Sequence, residues 1–198
     1  MSKPIETDFF IPLLPVSVIQ LSGAGEVLRS MLEAMRCVVA LHRPGTPGDF
    51  LKLVSPDYVP RYIVICGHGT EDGLHFGQYI SEIDTSMLRN ECLPAEAIRD
   101  NARLSGATVV SATCYGGTRT MADAFLTAGT KAYIASEGEP DGMAMNVFLI
   151  NFFFALLSKG VSDEEAWRKA VQATNHEDIW EVNYFHADGV ERLPQTPQ

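Results

Sequence analysis

Two chemically reactive side chains in this sequence each follow an apolar run and stand beside glycines. The run Tyr-Ile-Val-Ile-Cys ends in Gly-His-Gly, which places His68 between Gly67 and Gly69. The run Thr-Val-Val-Ser-Ala leads through Thr113 to Cys114, and Tyr-Gly-Gly follows. In an open parallel sheet, ligands bind beyond the carboxyl ends of the strands. If these two strands are neighbours, an imidazole and a thiol face one crevice, which is the arrangement that a thiol nucleophile needs.

The glycines and the next helix fit this chemistry. Glycine lacks a Cβ, so its main chain can come close to a substrate carbonyl, and the amides of Gly69 and Cys114 are candidate donors to an oxyanion. A helix that starts near Thr118 would point its positive end toward Cys114, and an imidazolium at His68 would add to that field. Both effects lower a thiol pKa, so the sequence predicts a cysteine that readily forms a thiolate.

The elements that position these residues alternate between strand and helix patterns, which is typical of an α/β/α sandwich with a mostly parallel sheet. The predicted strands are 13–20, 37–42, 61–66, 107–112, 131–136 and 182–186. The predicted helices are 22–35, 49–54, 94–104, 118–128, 141–158 and 162–174. We expect a sheet of about six strands in the order 2-1-3-4-5-6, with the site at its carboxyl edge. The segment after the third strand, at 70–93, predicts a small hairpin that walls the site.

Composition and charge narrow the classes of function. The chain has 198 residues, which predicts a single domain over 1–193 with a disordered tail at 194–198. The formal charge is -10 and no basic run appears, so nucleic acid is not an expected partner. The longest apolar stretch, 143–157, is shorter than the roughly 20 residues of a membrane span and predicts a buried helix. No export signal is apparent at the start of the sequence, and the four cysteines lack paired spacing, so we expect reduced thiols, a cytoplasmic location and no membrane partner.

The spacing of the two reactive residues carries a family resemblance. His-Gly follows the first of these strands, and Cys-x-Gly follows the second, with Cys114 lying 46 residues after His68. This arrangement resembles the caspase, legumain, gingipain and clostripain group of clan CD cysteine peptidases. The segment 129–170 contains Lys-Ala-Tyr-Ile-Ala-Ser, then Asp141, then Leu-Ser-Lys-Gly-Val-Ser. This order is similar to the CHAT-type bacterial members of that group, and the resemblance covers roughly 61–171.

The resemblance implies a caspase-like fold, an endopeptidase activity, and a peptide or protein as substrate. It matches His68 to the catalytic histidine, Gly69 to the glycine whose amide joins the oxyanion hole, and Cys114 to the nucleophile. The sequence departs from the caspases around the nucleophile: Ala112 stands where they carry glutamine and Tyr115 where they often carry arginine. Caspase-type cleavage after aspartate is therefore not implied.

Three further polar residues are candidates for a substrate pocket. In the resembling peptidases, residues after the fifth strand help to form the pocket for the side chain before the scissile bond, a position that matches Glu137 and Asp141 here. An acidic pocket would select arginine or lysine through charge-assisted hydrogen bonds. Asp141 has an alternative role as the N-cap of the next helix. His75, in the expected hairpin, either lines the cleft or is a solvated side chain.

Two other interpretations remain open from the sequence. Ala-Thr-Cys-Tyr-Gly-Gly resembles the Gly-x-Ser-x-Gly elbow of an α/β-hydrolase such as an esterase, which would need an acid near Glu137 or Asp141 and a histidine such as His176 or His186. The chain after Cys114 is short for that fold. The second interpretation is a caspase-like scaffold domain that does not cleave peptides.

No cofactor is expected from the sequence. Some of the resembling peptidases need calcium, and the acidic loop 137–141 permits a calcium site without indicating one. The sequence leaves the oligomeric state and any zymogen activation open.

Overall fold

The computed structural model describes residues 13–23 and 25–194, and in this part of the chain a central sheet lies between two helical layers. The strands are β1 (Leu14–Gln20), β2 (Cys37–His42), β3 (Tyr62–Cys66), β4 (His68–Thr70), β5 (Gly73–His75), β6 (Cys92–Leu93), β7 (Thr108–Ala112), β8 (Ala132–Ser136), β9 (Val182–His186) and β10 (Gly189–Glu191). The helices are α1 (Gly25–Ala34), α2 (Pro47–Leu53), α3 (Ala95–Asn101), α4 (Arg119–Thr127), α5 (Gly142–Lys159) and α6 (Asp163–Thr174). A 3-10 turn at Glu177–Glu181 precedes β9. The predicted disorder of the tail from 195 onward falls outside the described residues.

The central sheet has the order β10-β9-β8-β7-β3-β1-β2. Strands β1, β2, β3, β7 and β8 run parallel, whereas β9 is antiparallel to β8 and β10 is antiparallel to β9. The predicted order of six strands is confirmed, and the sheet carries β10 as an additional edge strand. A strand of three residues is too short to show a hydrophobic period, so the sequence gives no signal for β10.

Both faces of the sheet are covered, which is why β3 and β8 are buried along their whole length. One face packs against α1, α5 and α6 through residues such as Leu32, Phe152 and Trp167. The other packs against α2, α3 and α4 through residues such as Phe50 and Phe125. The site lies at the carboxyl edge between these two layers.

Side-chain caps set the start of several helices. The Asp141 carboxylate accepts hydrogen bonds from the amides of Met143 and Ala144 at 2.9 and 2.8 Å, and Ser162 accepts one from the amide of Glu165 at 3.2 Å. Each of these residues immediately precedes its helix, so α5 and α6 begin one residue after the predicted starts.

Helix α5 is long and apolar enough to cross a membrane by length and composition. In the structure one of its faces is buried against the sheet and against α6, where Phe148 and Phe152 are inaccessible. Its opposite face exposes Met143 and Phe154, which are 76% and 55% accessible. The predicted buried helix is therefore buried along one face only.

The segment after β3 forms a second, three-stranded antiparallel sheet in the order β4-β5-β6. The sequence predicts a hairpin in this segment, and the structure confirms it and adds β6 as the third strand. His68 pairs with His75, and His75 pairs with Cys92. His68 thus belongs to this small sheet and is separated from the end of β3 by Gly67 alone.

Candidate active site

Cys114 begins a tight turn that joins β7 to α4. Tyr115, the next residue, has φ = 54°, a left-handed conformation that is uncommon for a residue other than glycine. The Gly116 carbonyl accepts a 2.8 Å hydrogen bond from the buried Tyr133 hydroxyl. These features direct the chain sharply away from the sheet after Cys114, so the thiol stays at the carboxyl edge.

The loop after β8 is tied to this turn by two main-chain hydrogen bonds. The amide of Tyr115 donates to the Gly138 carbonyl at 2.8 Å, and the amide of Gly117 donates to the Ser136 carbonyl at 2.6 Å. A Cβ on Gly117 would lie 2.7 Å from the carbonyl carbon of Ser136, so only glycine fits there. Two segments that are distant in sequence therefore form one rigid unit around Cys114.

His68 and Cys114 reach the same place from neighbouring strands, because β3 pairs with β7 and Cys66 lies opposite Ala112. Between them, the Cα of Gly69 packs on the main chain of Cys114, where a Cβ would overlap the Cys114 carbonyl oxygen. No hydrogen bond joins the His68 ring to the Cys114 sulfur, both of which the structure describes. The half-buried thiol and the exposed imidazole share one cleft.

This cleft has a volume of about 490 Å³. Its lining residues come from five places in the chain, namely the end of β1, the end of β3 with His68, the end of β7 with Cys114, the segment Pro140–Asp141, and the first turns of α5. Cys66, Ala112 and Met145 give it an apolar floor, whereas Asp141 supplies a negative charge at its rim. Lysine and arginine do not occur among the described residues that line it.

The amide of Cys114 is available to a ligand. The amides of Tyr115, Gly116 and Gly117 each donate to a main-chain carbonyl, whereas that of Cys114 donates to none in the described chain. A free amide that is fixed by a rigid turn is a suitable donor to an oxyanion.

The electrostatic environment of Cys114 differs from the expected one. Burial raises the pKa of the thiol above its ordinary value, the nearby Glu139 carboxylate raises it further, and the Cys114 amide lowers it by a smaller amount. The predicted lowering of the pKa is therefore wrong for the free protein. Helix α4 begins at Arg119, and its first turn, with Thr118 and Thr120, borders a different cleft.

The structure corrects the expected pocket residues, of which only Asp141 borders the cleft. Glu137 forms an ion pair with Arg192 and lines a separate depression with Trp180, because it turns outward directly after β8. His75 lies in the small sheet, where its Nδ1 is 3.7 Å from the sulfur of Cys92. Asp141 caps α5 and also lines the cleft.

The two other candidate histidines lie outside the cleft. His176 caps the 3-10 turn, where its Nδ1 accepts from the amide of Asp178 at 3.4 Å. His186 lies in β9, and its two ring nitrogens are 3.9 and 3.6 Å from the carboxylates of Asp188 and Glu191. In the described part of the chain, neither histidine can serve Cys114 as the base that an α/β-hydrolase would require.

The sequence gives no signal for some residues that form the cleft. Ser22 and Gly23 follow β1 and line it, as do Met145 and Asn146 from α5. The amide of Ser22 donates to the carbonyl of Cys66, so the ends of β1 and β3 meet there. Sequence patterns place these residues in a turn and a helix without indicating what they face.

The acidic loop does not fit a calcium ion. The Glu137 carboxylate pairs with Arg192, the Glu139 carboxylate raises the pKa of the nearby Tyr115 hydroxyl, and one oxygen of Asp141 caps α5. Among the described residues, no group of three or more histidine, cysteine, aspartate or glutamate side chains is arranged to hold a metal ion.

Comparisons with known proteins identify the fold. The Arg-specific cysteine proteinase gingipain R (RgpB) matches 86% of this chain with a TM-score of 0.57 and 15% identity. The complex of the pro- and mature domains of Porphyromonas gingivalis RgpB matches 83% of it with a TM-score of 0.53 and 12% identity. This chain spans 46% and 44% of those chains. No protein-family model and no curated protein matches the sequence.

These similarities, with the strand order and the two helical layers, show that the chain has a caspase-like fold. The expected fold class is confirmed. It is the fold of clan CD cysteine peptidases, and its carboxyl edge carries Cys114 and His68 in this chain.

Proposed function

We propose that this chain is a cysteine-type endopeptidase in which Cys114 is the nucleophile and His68 is the acid–base partner. The observation that carries this proposal is the shared cleft, which the thiol and the imidazole enter from the ends of two paired strands. The fold, shared with cysteine proteinases, supports the class of reaction. The free amide of Cys114 and the close approach of Gly69 support an oxyanion site beside the sulfur.

In the acylation step, the Cys114 thiol gives its proton to His68 and the sulfur attacks the scissile carbonyl carbon. The electron pair of the C=O bond moves to oxygen, where the amides of Gly69 and Cys114 stabilise the charge. This intermediate collapses as the C–N bond breaks. His68 returns its proton to the leaving amine, and the substrate remains bound as a thioester.

In the deacylation step, His68 takes a proton from water as the water oxygen attacks the thioester. The C–S bond breaks, the acid product leaves, and His68 returns the proton to the sulfur. The raised pKa of Cys114 favours transfer of the proton to His68 within the bound complex over a preformed ion pair.

The cleft favours a basic side chain before the scissile bond. Asp141 supplies the charge at its rim, and no described lining residue is a lysine or arginine that would neutralise it. The structurally similar gingipain R is an Arg-specific cysteine proteinase. A carboxylate at the rim of an apolar cleft would bind the guanidinium while the floor packs against the aliphatic stem.

A panel of fluorogenic peptides that differ in the residue before the cut tests this function. We expect turnover with arginine or lysine peptides and none with Cys114→Ala. Asp141→Asn should reduce the preference for basic residues while keeping the cap of α5, because asparagine is as good an N-cap as aspartate. Turnover by Cys114→Ala would exclude this nucleophile. Cleavage only after small or acidic residues would remove the acidic pocket.

The raised pKa of Cys114 favours a second candidate function, that of a scaffold domain without catalysis. Alkylation with iodoacetamide separates the two. An active dyad predicts that Cys114 reacts fastest of the four cysteines and that His68→Ala slows it strongly. Equal and slow reaction of Cys37, Cys66, Cys92 and Cys114 would favour the scaffold.

A further inference from the structure

Helix α5 carries no charge on its outer face, unlike the two helices beside it in the same layer. Residues 142–158 of the helix include no acidic or basic side chain. By contrast, α1 and α6 carry exposed ion pairs between successive turns, namely Arg29 with Glu33 and Glu164 with Arg168. A helix that is apolar on every side is normally buried on every side. The outer face of α5 is therefore suited to burial against a partner.

The apolar side chains on this outer face follow the spacing of a helix-packing contact. Successive members are four, three, four and three residues apart, which is the a/d spacing of a coiled coil. We call this row the outer seam of α5, and it consists of Met143, Val147, Ile150, Phe154 and Leu157. Ile150 is partly exposed and the other four are exposed. At one end the seam meets the cleft, which Met143 also lines.

The outer seam is complementary to itself when two copies of α5 pack antiparallel. If a two-fold axis passes between Ile150 and Phe154, Ile150 packs against the partner's Phe154 and Val147 packs against the partner's Leu157. Each pair sets a β-branched side chain against a longer or larger one, so the two rows interdigitate. A two-fold axis uses the same patch on both copies, and this patch is uncharged, so no charge is buried.

The length of α5 sets the size and the strength of such a contact. Its 18 residues span about 27 Å. Two such helices packed along their length bury on the order of 1,000 Å² in total, which is the lower limit of a specific interface. An interface of this size predicts a reversible dimer with a Kd on the order of 10 µM.

A lipid bilayer fits this face less well than a second copy does. The opposite face of α5 is buried against the sheet, where Phe148 and Phe152 are inaccessible, so the helix cannot leave the fold to cross a membrane without exposing the core. Helices that lie on a bilayer carry lysine and arginine on their polar face. The formal charge of -10 instead repels anionic headgroups.

We propose that the outer seam of α5 is the contact surface of a homodimer, in which the α5 helices of two copies pack antiparallel around a two-fold axis. This dimer does not depend on the peptidase activity. It accounts for an apolar outer face on a helix whose neighbours in the layer have charged ones. Because the helices are antiparallel, the two clefts lie at opposite ends of the pair.

Sedimentation velocity over about 1–100 µM protein tests the dimer. We expect the wild type to shift from monomer to dimer over this range, and Phe154→Glu to raise the Kd at least about 100-fold, because two carboxylates would be buried near the axis. Glutamate is a better helix former than phenylalanine, so α5 should be retained. Tyr58→Glu is the matched control, since Tyr58 is an exposed aromatic residue beside Val59, which packs in the other layer.

A mixture of two variants tests the antiparallel pairing. Ile150→Lys alone should also be monomeric, because two ammonium groups would meet near the axis. Mixed with Phe154→Glu, it should form a heterodimer, in which one lysine faces one glutamate and the other half of the seam is unchanged. A mixture that stays monomeric overturns the proposed pairing.

Three other results would overturn the proposal. One is a wild type that remains monomeric at about 100 µM, ten times the expected Kd. Another is folded Phe154→Glu that dimerises like the wild type. The third is flotation of wild-type protein, but not of Phe154→Glu, with vesicles of phosphatidylcholine and phosphatidylglycerol, which would identify a bilayer as the occupant. If Phe154→Glu does not fold, Leu157→Gln decides, and an unchanged Kd in that variant refutes the seam.

Discussion

Gly69 packs its Cα directly on the main chain of Cys114, so that a Cβ at position 69 would overlap the Cys114 carbonyl oxygen and lie 3.4 Å from the Cβ of Thr113. The contact joins the small sheet to the turn that begins at Cys114. Because the obstructing atom belongs to the main chain, no side-chain rotation can relieve the overlap.

Gly69→Ala should therefore displace the small sheet from Cys114. We expect a loss of about 2 kcal/mol in the free energy of unfolding, which is typical of an overpacked site, and slower alkylation of Cys114. Urea denaturation and alkylation kinetics measure the two effects. Gly45→Ala is the control, since the nearest atom to its Cβ would be a side-chain oxygen 3.8 Å away. Equal behaviour of the two variants would show that the contact is not required.

Glu139→Gln should make Cys114 more reactive near neutral pH. Burial raises the pKa of Cys114 most, and the Glu139 carboxylate raises it further, so removing that charge lowers the pKa and increases the thiolate fraction. The gain in alkylation rate should vanish at pH values above the pKa that Cys114 has in either protein, because the thiol is then fully ionised in both. Glu137→Gln is the matched control, because Glu137 pairs with Arg192 away from the sulfur. A slower Glu139→Gln variant would contradict this electrostatic account.

Asp163 should stabilise the fold from the end of the sheet opposite the cleft. It is 2% exposed and accepts hydrogen bonds from Tyr62, Thr108 and Lys131 at 2.7, 2.8 and 2.7 Å. Asp163→Asn should cost about 3 kcal/mol at neutral pH, because it leaves buried donors without a charged partner. The exposed pair of Asp123 with Arg119 gives the control Asp123→Asn, which should cost less than about 1 kcal/mol.

The stabilisation from Asp163 should depend on pH. Burial alone would raise the pKa of Asp163, but the hydrogen bonds from Lys131, Tyr62 and Thr108 outweigh burial and lower it. The contribution is therefore complete above the unfolded pKa of about 3.9 and is lost as the pH falls through the lower folded value. Urea denaturation of wild type and Asp163→Asn at several pH values should show the difference shrinking below about pH 4. A constant difference would mean that Asp163 is not charged in the fold.

Tyr133→Phe should loosen the turn at Cys114 while leaving the core packed. The ring of Tyr133 stacks on Phe125 with centroids 4.6 Å apart, a contact that phenylalanine keeps, but the hydrogen bond to the Gly116 carbonyl is lost. We expect a cost of about 1–3 kcal/mol for the unsatisfied carbonyl and a change in the alkylation rate of Cys114. Tyr58→Phe is the control, because Tyr58 is 76% exposed. Full stability of Tyr133→Phe would show that the carbonyl finds another donor.

The strands and their order could be predicted from the sequence because the signals are local. Each apolar run of β3 and β7 is bounded by glycines or polar residues, and parallel strands joined by helices must end at one edge. That is sufficient to bring His68 and Cys114 to one cleft. The helix caps Asp141 and Ser162 follow from residue type in the same way.

The immediate surroundings of those residues could not be predicted, because they depend on contacts between distant segments. Glu137 and Glu139 are two positions apart in one loop, yet one pairs with Arg192 and the other faces Tyr115 and raises the pKa of Cys114. The sequence places His75 in a hairpin without showing its neighbours. Only the register between β4 and β5 shows that it lies across from His68.

The sequence by itself determined the layered fold and the two reactive residues at the carboxyl edge, since hydrophobic period, glycines and caps act over a few neighbouring residues. Only the tertiary structure determined which charges surround the Cys114 sulfur and which acidic residue lines the cleft. These properties depend on main-chain hydrogen bonds between the Cys114 turn and the loop after β8, and such bonds leave no pattern in the amino-acid order.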